Sequence, residues 1–525
     1  MPSVLADKAR KGRFMKLSVR NKAISLGIVF MLMFTSCARP APKPTSDEII
    51  DTVISNFELL AKIPRPSHHE KAVSDFFVSW AKEQGLDPVQ DSHNNVMFNV
   101  PATKGYENKP LVILQDHMDM VVAVEDGKDF DPLKDTVTLI RDDQARTITA
   151  DGTSLGADNG IGCGIMMSVV QGKMPHGPLR VIITTDEEDG MDGMFNLDPS
   201  WLDGAKYLIN IDNEESDNVT VSTAAGDSLR ITGTPEFSDA KGDKALAITV
   251  SGLAGGHSGV DIDKGRLNGI RALAGLLKEL SSNGISYELA NIDGGSAPNA
   301  IPERAKSVIV IDSKDQAQIE SIAAGYLKNL QESYLGIEDS IEITITGEDT
   351  IPQVVSEEFK NNVIRLTTEI IDGIYTMSKD MEGLVESSSN IGILRLDPDG
   401  LYATTYIRSS VGSLETEILN SQLDLVRECG FSTESIKMSD PWPYNPDSEL
   451  TELTKKIYLE QNGEEIKIVA VHAGLECGTL ALLSPDLDMI CIGADIRDAH
   501  TTRETVMLDS IPVCWNLLAE LLVRI

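Results

Sequence analysis

Positive charge is scarce in this chain: 46 lysines and arginines face 81 aspartates and glutamates among 525 residues, for a formal net charge of −35. A surface that acidic repels phosphate backbones, which argues against nucleic-acid binding. Cysteine is scarce too. The six (Cys37, Cys163, Cys429, Cys477, Cys491 and Cys514) include no CxxC pair and are too thinly spread for a disulfide scaffold. No short-period repeat is evident, and the apolar stretch at residues 23–34 is too short to span a bilayer comfortably. What remains is an ordinary globular composition, 41% hydrophobic and 24% charged, in a chain long enough for two or three domains.

The N-terminus reads as an address rather than a fold. From Met15, a basic stretch (Lys16, Arg20, Lys22) leads into the apolar residues 23–34 and then Thr35-Ser36-Cys37. This suits a signal-peptide core. The small residues before the cysteine resemble a bacterial lipobox, although Phe34 departs from the usual aliphatic residue. The expectation is a signal segment over residues 1–36, a lipid anchor at Cys37, a proline-rich tether over 37–46 and a location at the cell envelope. A plain membrane anchor and a conventionally cleaved signal are the alternatives.

Beyond residue 46 the pattern changes twice. Apolar runs without alternation at 111–114, 179–184, 207–211, 468–471 and 489–492 predict strands buried on both faces, hence a helix-covered and mostly parallel sheet. In the middle, residues 245–251, 341–346 and 401–407 alternate, with helices predicted at 265–280 and 316–332. That is the pattern of an α+β layer with helices on one face. The run Pro441-Trp442-Pro443-Tyr444-Asn445-Pro446 punctuates the return to the first pattern.

Each of the buried strands delivers acids or imidazoles at its end. Residues 111–114 lead to His117 and Asp119, which face one side in extended chain. Residues 179–184 lead to Asp186-Glu187-Glu188-Asp189, 207–211 to Asp212, 468–471 to His472 and Glu476, and 489–492 to Asp495 and His500. A lone acid after a strand is ordinarily a turn residue or cap. Several converging on the carboxyl edge of one sheet would repel each other unless cations neutralised them. Mixed imidazole and carboxylate donors suit zinc, with cobalt or manganese as alternatives. Asp158 joins them from the glycine-rich turn 156–164, whose glycines match neither GxGxxG nor a GK[ST] loop. His68, His69, His93 and His176 lie in polar turns outside these motifs and read as structural or solvated.

Together these residues resemble the M20 metallopeptidases, most closely the aminoacyl-histidine (Xaa-His, carnosine-splitting) dipeptidases. The resemblance runs from about Asp47 to the C-terminus, through residues 63–70, 116–121, 156–162, 184–189, 210–215, 255–259, 294–302, 472–478 and the run through His500. It implies an α/β zinc-peptidase catalytic domain in two parts, 47–222 and 444–525, interrupted by an α+β lid and dimerisation domain over 223–443. It also implies two zinc ions, with His117, Asp158 and Asp212 at the first, and Asp158, Glu188 and His500 at the second. Asp119 would orient His117, and Glu187 would be the general base for a water bridging the two ions. His257 would donate to the oxyanion, and Asn299 and Arg408 would hold the substrate carboxylate, a surface ion pair being the alternative for Arg408. His472 and Glu476 would contact substrate. Two positions depart from the family pattern: Asp116 stands where glycine is common, and His500-Thr-Thr-Arg-Glu504 replaces an HSPDE-like run.

The implied activity is metal-dependent hydrolysis of dipeptides, Xaa-His among them. A tripeptidase, carboxypeptidase or aminoacylase of the same family is the alternative enzyme, because pockets diverge faster than metal chemistry. A non-catalytic peptide-binding lipoprotein is the alternative of another class, and a free base at Glu187 speaks against it. A homodimer through the lid is an option the resemblance leaves open.

Overall fold

The computed structural model describes residues 44–525 except Lys173 and Glu382. The expected signal segment, Cys37 and most of the expected tether therefore lie outside the described residues. The tether's end is corrected: Thr45 caps the first helix, Ser46–Leu60, through a capping box with Glu48, so Ser46 is already helical. Among the described residues no helix is long and apolar enough to cross a membrane.

Two large sheets divide the chain. The first has eight strands in the order Val89–Gln90, Val96–Val100, Leu179–Thr184, Leu111–His117, Ala205–Asn213, Asp488–Gly493, Asn218–Thr223 and Lys467–Val471. Leu111–His117 runs parallel to both of its neighbours, and Asp488–Gly493 runs parallel to Ala205–Asn213. The lack of alternation in the central strand has a direct cause. Val112 and Leu114 pack with the helices Ser46–Leu60, Ala157–Val170 and Ile511–Arg524. Ile113 packs on the other side with Met191, Trp201, Trp442 and Leu480. Both faces are core, so both sets of positions are apolar.

The second sheet has nine strands, from Glu342–Gly347 at one edge to Ser432–Ser439 at the other, with Gly373–Met377 added beside Val385–Asp397. The pairings of Lys244–Ser251, Val385–Asp397, Gly400–Ser409 and their neighbours are antiparallel. Its buried residues form their own core with the helices Gly269–Ser282, Gln316–Ser333, Glu357–Glu369 and Gly412–Glu428. The helix expected from residue 265 starts later. Gly265 is left-handed at φ +63°, and Asn268 caps the true start by accepting the amides of Ile270 and Arg271. The architecture is thus mixed α/β, a helix-covered sheet and an antiparallel sheet each with its own core.

The chain leaves the first sheet at Thr223 and enters the second at Ala225. It returns after Ser439, and Trp442 pairs with Thr223 by two main-chain hydrogen bonds of 3.0 Å each. A small four-stranded sheet joins Leu139–Asp142 and Thr147–Ala150 to Ile496–Arg497 and Thr505–Met507, and carries the loop of His500.

Candidate metal centre

Parallel register brings the strand ends together. His117 lies opposite Thr184, and Gln115 opposite both Ile182 and Asn210, so the segments that follow Thr184 and Ile211 emerge beside His117. Asp158 arrives from the turn entering the helix Ala157–Val170, where Gly156 takes φ +69° and Asp158 itself is non-helical.

Asp158 sits between two imidazoles. Its Oδ1 lies 3.3 Å from His117 Nε2, and its Oδ2 lies 3.1 Å from His500 Nε2. Asp212 Oδ1 is also 3.3 Å from His117 Nε2, and Glu188 Oε2 is 2.8 Å from His500 Nε2. The structure therefore brings together the five residues expected as ligands. Two donors at about 2.05 Å from one tetrahedral ion stand about 3.3 Å apart, close to these separations. Among the described residues, donor groups of this kind cluster twice, as His117 with Asp158 and Glu188, and as His117 with Asp116 and Asp212.

The supports behind the ligands are explicit. His117 Nδ1 donates to Asp119 Oδ1 at 3.2 Å, and Asp119 also accepts from Ser67 Oγ and from the amides of Glu187 and Glu188. Asp119 is fully buried, so it orients its neighbours and meets nothing in the open. Asn159 donates to Asp212 Oδ1 at 2.7 Å and to the carbonyl of Ile211.

Electrostatics follow from this crowding. Burial works against ionisation of Asp158, yet hydrogen bonds from His117 and His500 outweigh it and hold its carboxyl below the ordinary range. Hydrogen bonds to Asp158 and Glu188 push His500 up to about 11. Burial, reinforced by neighbouring carboxylates and opposed by His117, holds Glu187 well above the ordinary value. Glu188 is pushed up to about 7 by the same cause against the pull of His500. Carboxylates this close coexist only against positive charge.

The sequence reading missed several members. Arg65 and Glu504 are buried and bond the main chain around the site. Glu214, exposed at the end of the strand Ala205–Asn213, is raised to about 7 by partial desolvation and then by the charges of Asp158 and Asp212. Arg65 and Glu504 stand inside the stretches already singled out, but bonds to main chain leave no pairing pattern in side-chain identity. His68 and His93 are more than solvated: His68 spans Asp186 and Asp189 at 2.8 and 2.9 Å, and His93 meets Asp192 at 3.0 Å. Both grip the loop that presents Glu187 and Glu188.

A second group gathers around Gly259. His257 Nδ1 accepts the amides of Gly259 and Val260 at 3.2 and 3.1 Å, which places the proton of the neutral ring on Nε2. Burial, then the charge of Arg408, keeps that ring neutral. Arg408 Nη2 lies 3.5 Å from the same Nε2, two donors facing each other, and its buried Nε has no partner. Asn299 is exposed next to this loop, its carbonyl accepting from Ser258 N at 2.8 Å.

His472 and Glu476, expected at the substrate, are both buried. His472 is bonded through Nε2 to Ser388 Oγ at 2.7 Å. Burial, then Arg408 and His257, pushes it down to about 3. Glu476 is 0% exposed and accepts from Thr184 Oγ1 at 2.8 Å and from Gln115, behind the ligands rather than in the open. No hydrogen bond or ion pair between described residues links the His257 group to the His117 group.

Comparison with known proteins agrees with this geometry. The description "Peptidase family M20/M25/M40" matches residues 113–524. The cytosol non-specific dipeptidase of Escherichia coli is 31% identical over 475 residues, 89% of this chain and 96% of that protein. The crystal structure of the aminoacylhistidine dipeptidase from Vibrio alginolyticus superposes with a TM-score of 0.83 at 32% identity, covering 90% of this chain and 96% of that one. A tripeptidase from Staphylococcus aureus shares the fold at a TM-score of 0.51 and 15% identity, over 90% of this chain and 97% of that one. The cytosolic relative overturns the expectation of a lipid-anchored protein of the cell envelope. With most of its length matched and the donor set in place, the chain belongs to the metal-dependent peptidase family M20/M25/M40 and is a hydrolase.

Proposed function

We propose that the protein hydrolyses dipeptides, Xaa-His dipeptides among them, using two zinc ions per chain, with cobalt or manganese as substitutes. The observation that carries this reading is Asp158, which gives one oxygen to the His117 side and the other to the His500 side. His117 and Asp212 would complete one position, and Glu188 and His500 the other. The dipeptidase names of the two relatives above 30% identity support the substrate class.

Bound ions would supply Lewis acidity and a nucleophilic water at neutral pH. The protein's own groups do the rest. Glu187, its amide fixed by Asp119, takes a proton from the attacking water and returns it to the leaving amine. The facing donors His257 Nε2 and Arg408 want an acceptor between or beside them, which suits an oxyanion or carboxylate of the substrate. Asn299 borders the same loop and would add a polar contact. The proposal includes the division into catalytic segments 47–222 and 444–525 around a lid over 223–443. It also includes a homodimer through that lid, whose edge strand Glu342–Gly347 is largely exposed.

Metal analysis joined to a hydrolysis screen tests this. Purified protein and Glu187→Gln are assayed against carnosine-like dipeptides, other dipeptides, tripeptides and acyl-amino acids. Two ions per chain are expected in both proteins, with turnover of dipeptides lower in the variant by about 10²–10⁴-fold. Fewer than two ions in active enzyme would sink the two-ion reading, and preference for tripeptides or acyl-amino acids would sink the dipeptide assignment.

A further inference from the structure

Three of the five segments that carry residues of the proposed centre are tied together by side chains bonded to main chain. They are 117–119 at a strand end, 156–158 in a turn, and 498–504 between two short strands. Two side chains, each 2% exposed, join these segments through main-chain groups alone. Arg65 Nη1 donates to the carbonyls of Met118 and Asp119 at 3.0 and 2.7 Å, and its Nη2 donates to the carbonyl of Gly156. Glu504 accepts the amides of Leu155, Gly156, Ala157 and Asp158 at 2.7, 2.9, 2.7 and 3.2 Å. Gly156 thus gives its carbonyl to the arginine and its amide to the glutamate.

We propose that Arg65 and Glu504 form a main-chain clamp that sets the placement of the two metal positions, each acting as a positioning residue. Arg65 registers the His117–Asp119 segment against the Asp158 turn. Glu504, only four residues beyond His500, registers the His500 loop against the same turn. The clamp rests on the two-ion reading given above.

Physical chemistry favours positioning over simple packing. Burying a guanidinium and a carboxylate is expensive, and apolar side chains would fill the same volume at less cost. Charge-assisted bonds to fixed main-chain groups are directional, and they leave the ligand side chains free for metal. Glycine is required at the pivot. A Cβ on Gly156 would stand 2.6 Å from Arg65 Nη2 and from Met120 Sδ, at a φ of +69°.

The test is stepwise binding of Zn²⁺ by calorimetry and of Co²⁺ by its visible absorption, on metal-free full-length wild type, Glu504→Gln and Arg65→Lys. Thermal melts of the same metal-free proteins run alongside. Wild type is expected to take up two ions. Glu504→Gln should weaken one of them by about 10–100-fold and alter its cobalt spectrum, with the other ion held as in wild type. Arg65→Lys should weaken the opposite position in the same way. Should Glu504→Gln fail to fold, Arg65→Lys carries the same test. Two ions bound to both variants with wild-type affinity would overturn the clamp and leave the two-ion reading standing. Parallel weakening of both ions together with a lower melting temperature would reduce the pair to fold support and also overturn it. Fewer than two ions on wild type would remove the two-ion reading itself and the clamp with it.

Discussion

Asp119 serves four donors with one carboxylate: the His117 ring, the Ser67 hydroxyl and the amides of Glu187 and Glu188. Asp119→Asn replaces one accepting oxygen by a donor and sets it against a ring N–H or a main-chain N–H. We expect metal affinity to fall about 10–100-fold, read by chelator competition, with the far-ultraviolet spectrum unchanged. Gly156→Ala tests the turn beside it. Left-handed backbone and the clash with Arg65 and Met120 should together cost about 2–4 kcal/mol in denaturant unfolding. The two-residue spacing of His117 and Asp119 made their pairing legible in the sequence, because alternate residues of extended chain share a side. Arg65 and Glu504 were not legible as partners of Gly156, since they act on it from 91 and 348 positions away.

Four of the five unbroken apolar runs are strands buried along most of their length, whereas Lys467–Val471, read the same way, is an edge strand with no fully buried residue. Helix starts were less readable where glycine and asparagine lie close together. Residues 265–268 contain both, and only the backbone conformation decides between Gly265 and Asn268. Asn268 also holds the helix to its sheet, donating to the carbonyl of Ile391 at 2.9 Å and to Asp372 at 3.2 Å. Asp372 accepts the amide of Ile391 as well, at 2.8 Å. Burial, partly offset by that bond, pushes Asp372 up to about 6. A carboxyl raised on folding binds its proton more tightly in the folded state. Its contribution is therefore fully present below about pH 4 and is lost as pH rises through about 6. Asp372→Asn keeps the acceptor and removes the charge. Relative to wild type, the variant should gain stability between about pH 4 and 6, on the order of 3 kcal/mol at most, and hold that gain at higher pH. Urea unfolding across that range measures it, and parallel pH curves for the two proteins would exclude the effect.

On the scale of the whole molecule, the proposed ligands come from segments that enclose both parts of the first sheet, residues 117 through 500. Ion binding should therefore stabilise that sheet as a unit. At free ion about 1,000-fold above the dissociation constant, the gain is about 4 kcal/mol, so a chelator should lower the melting temperature clearly. The change of pattern between the two sheets was visible in the sequence as a switch from unbroken to alternating apolar runs. The placement of His472 was not, because its partner Ser388 belongs to the other sheet and nothing local announces it.

The pair Thr223 and Trp442 carries a consequence for the order of folding. Strands Lys467–Val471 and Asp488–Gly493 must find Asn218–Thr223 and Ala205–Asn213 across the entire intervening sequence. Closing an unstructured loop of that length costs about 5 kcal/mol in entropy. If the second sheet assembles first, its two ends already lie a hydrogen bond apart, and the search that remains is short. The expected kinetic signature is early amide protection in Gly400–Ser409 and Ala225–Gly233, followed by Asp488–Gly493, in pulsed hydrogen exchange. The inserted sheet would then act during folding as a splint, drawing the two halves of the peptidase sheet into register before any metal arrives.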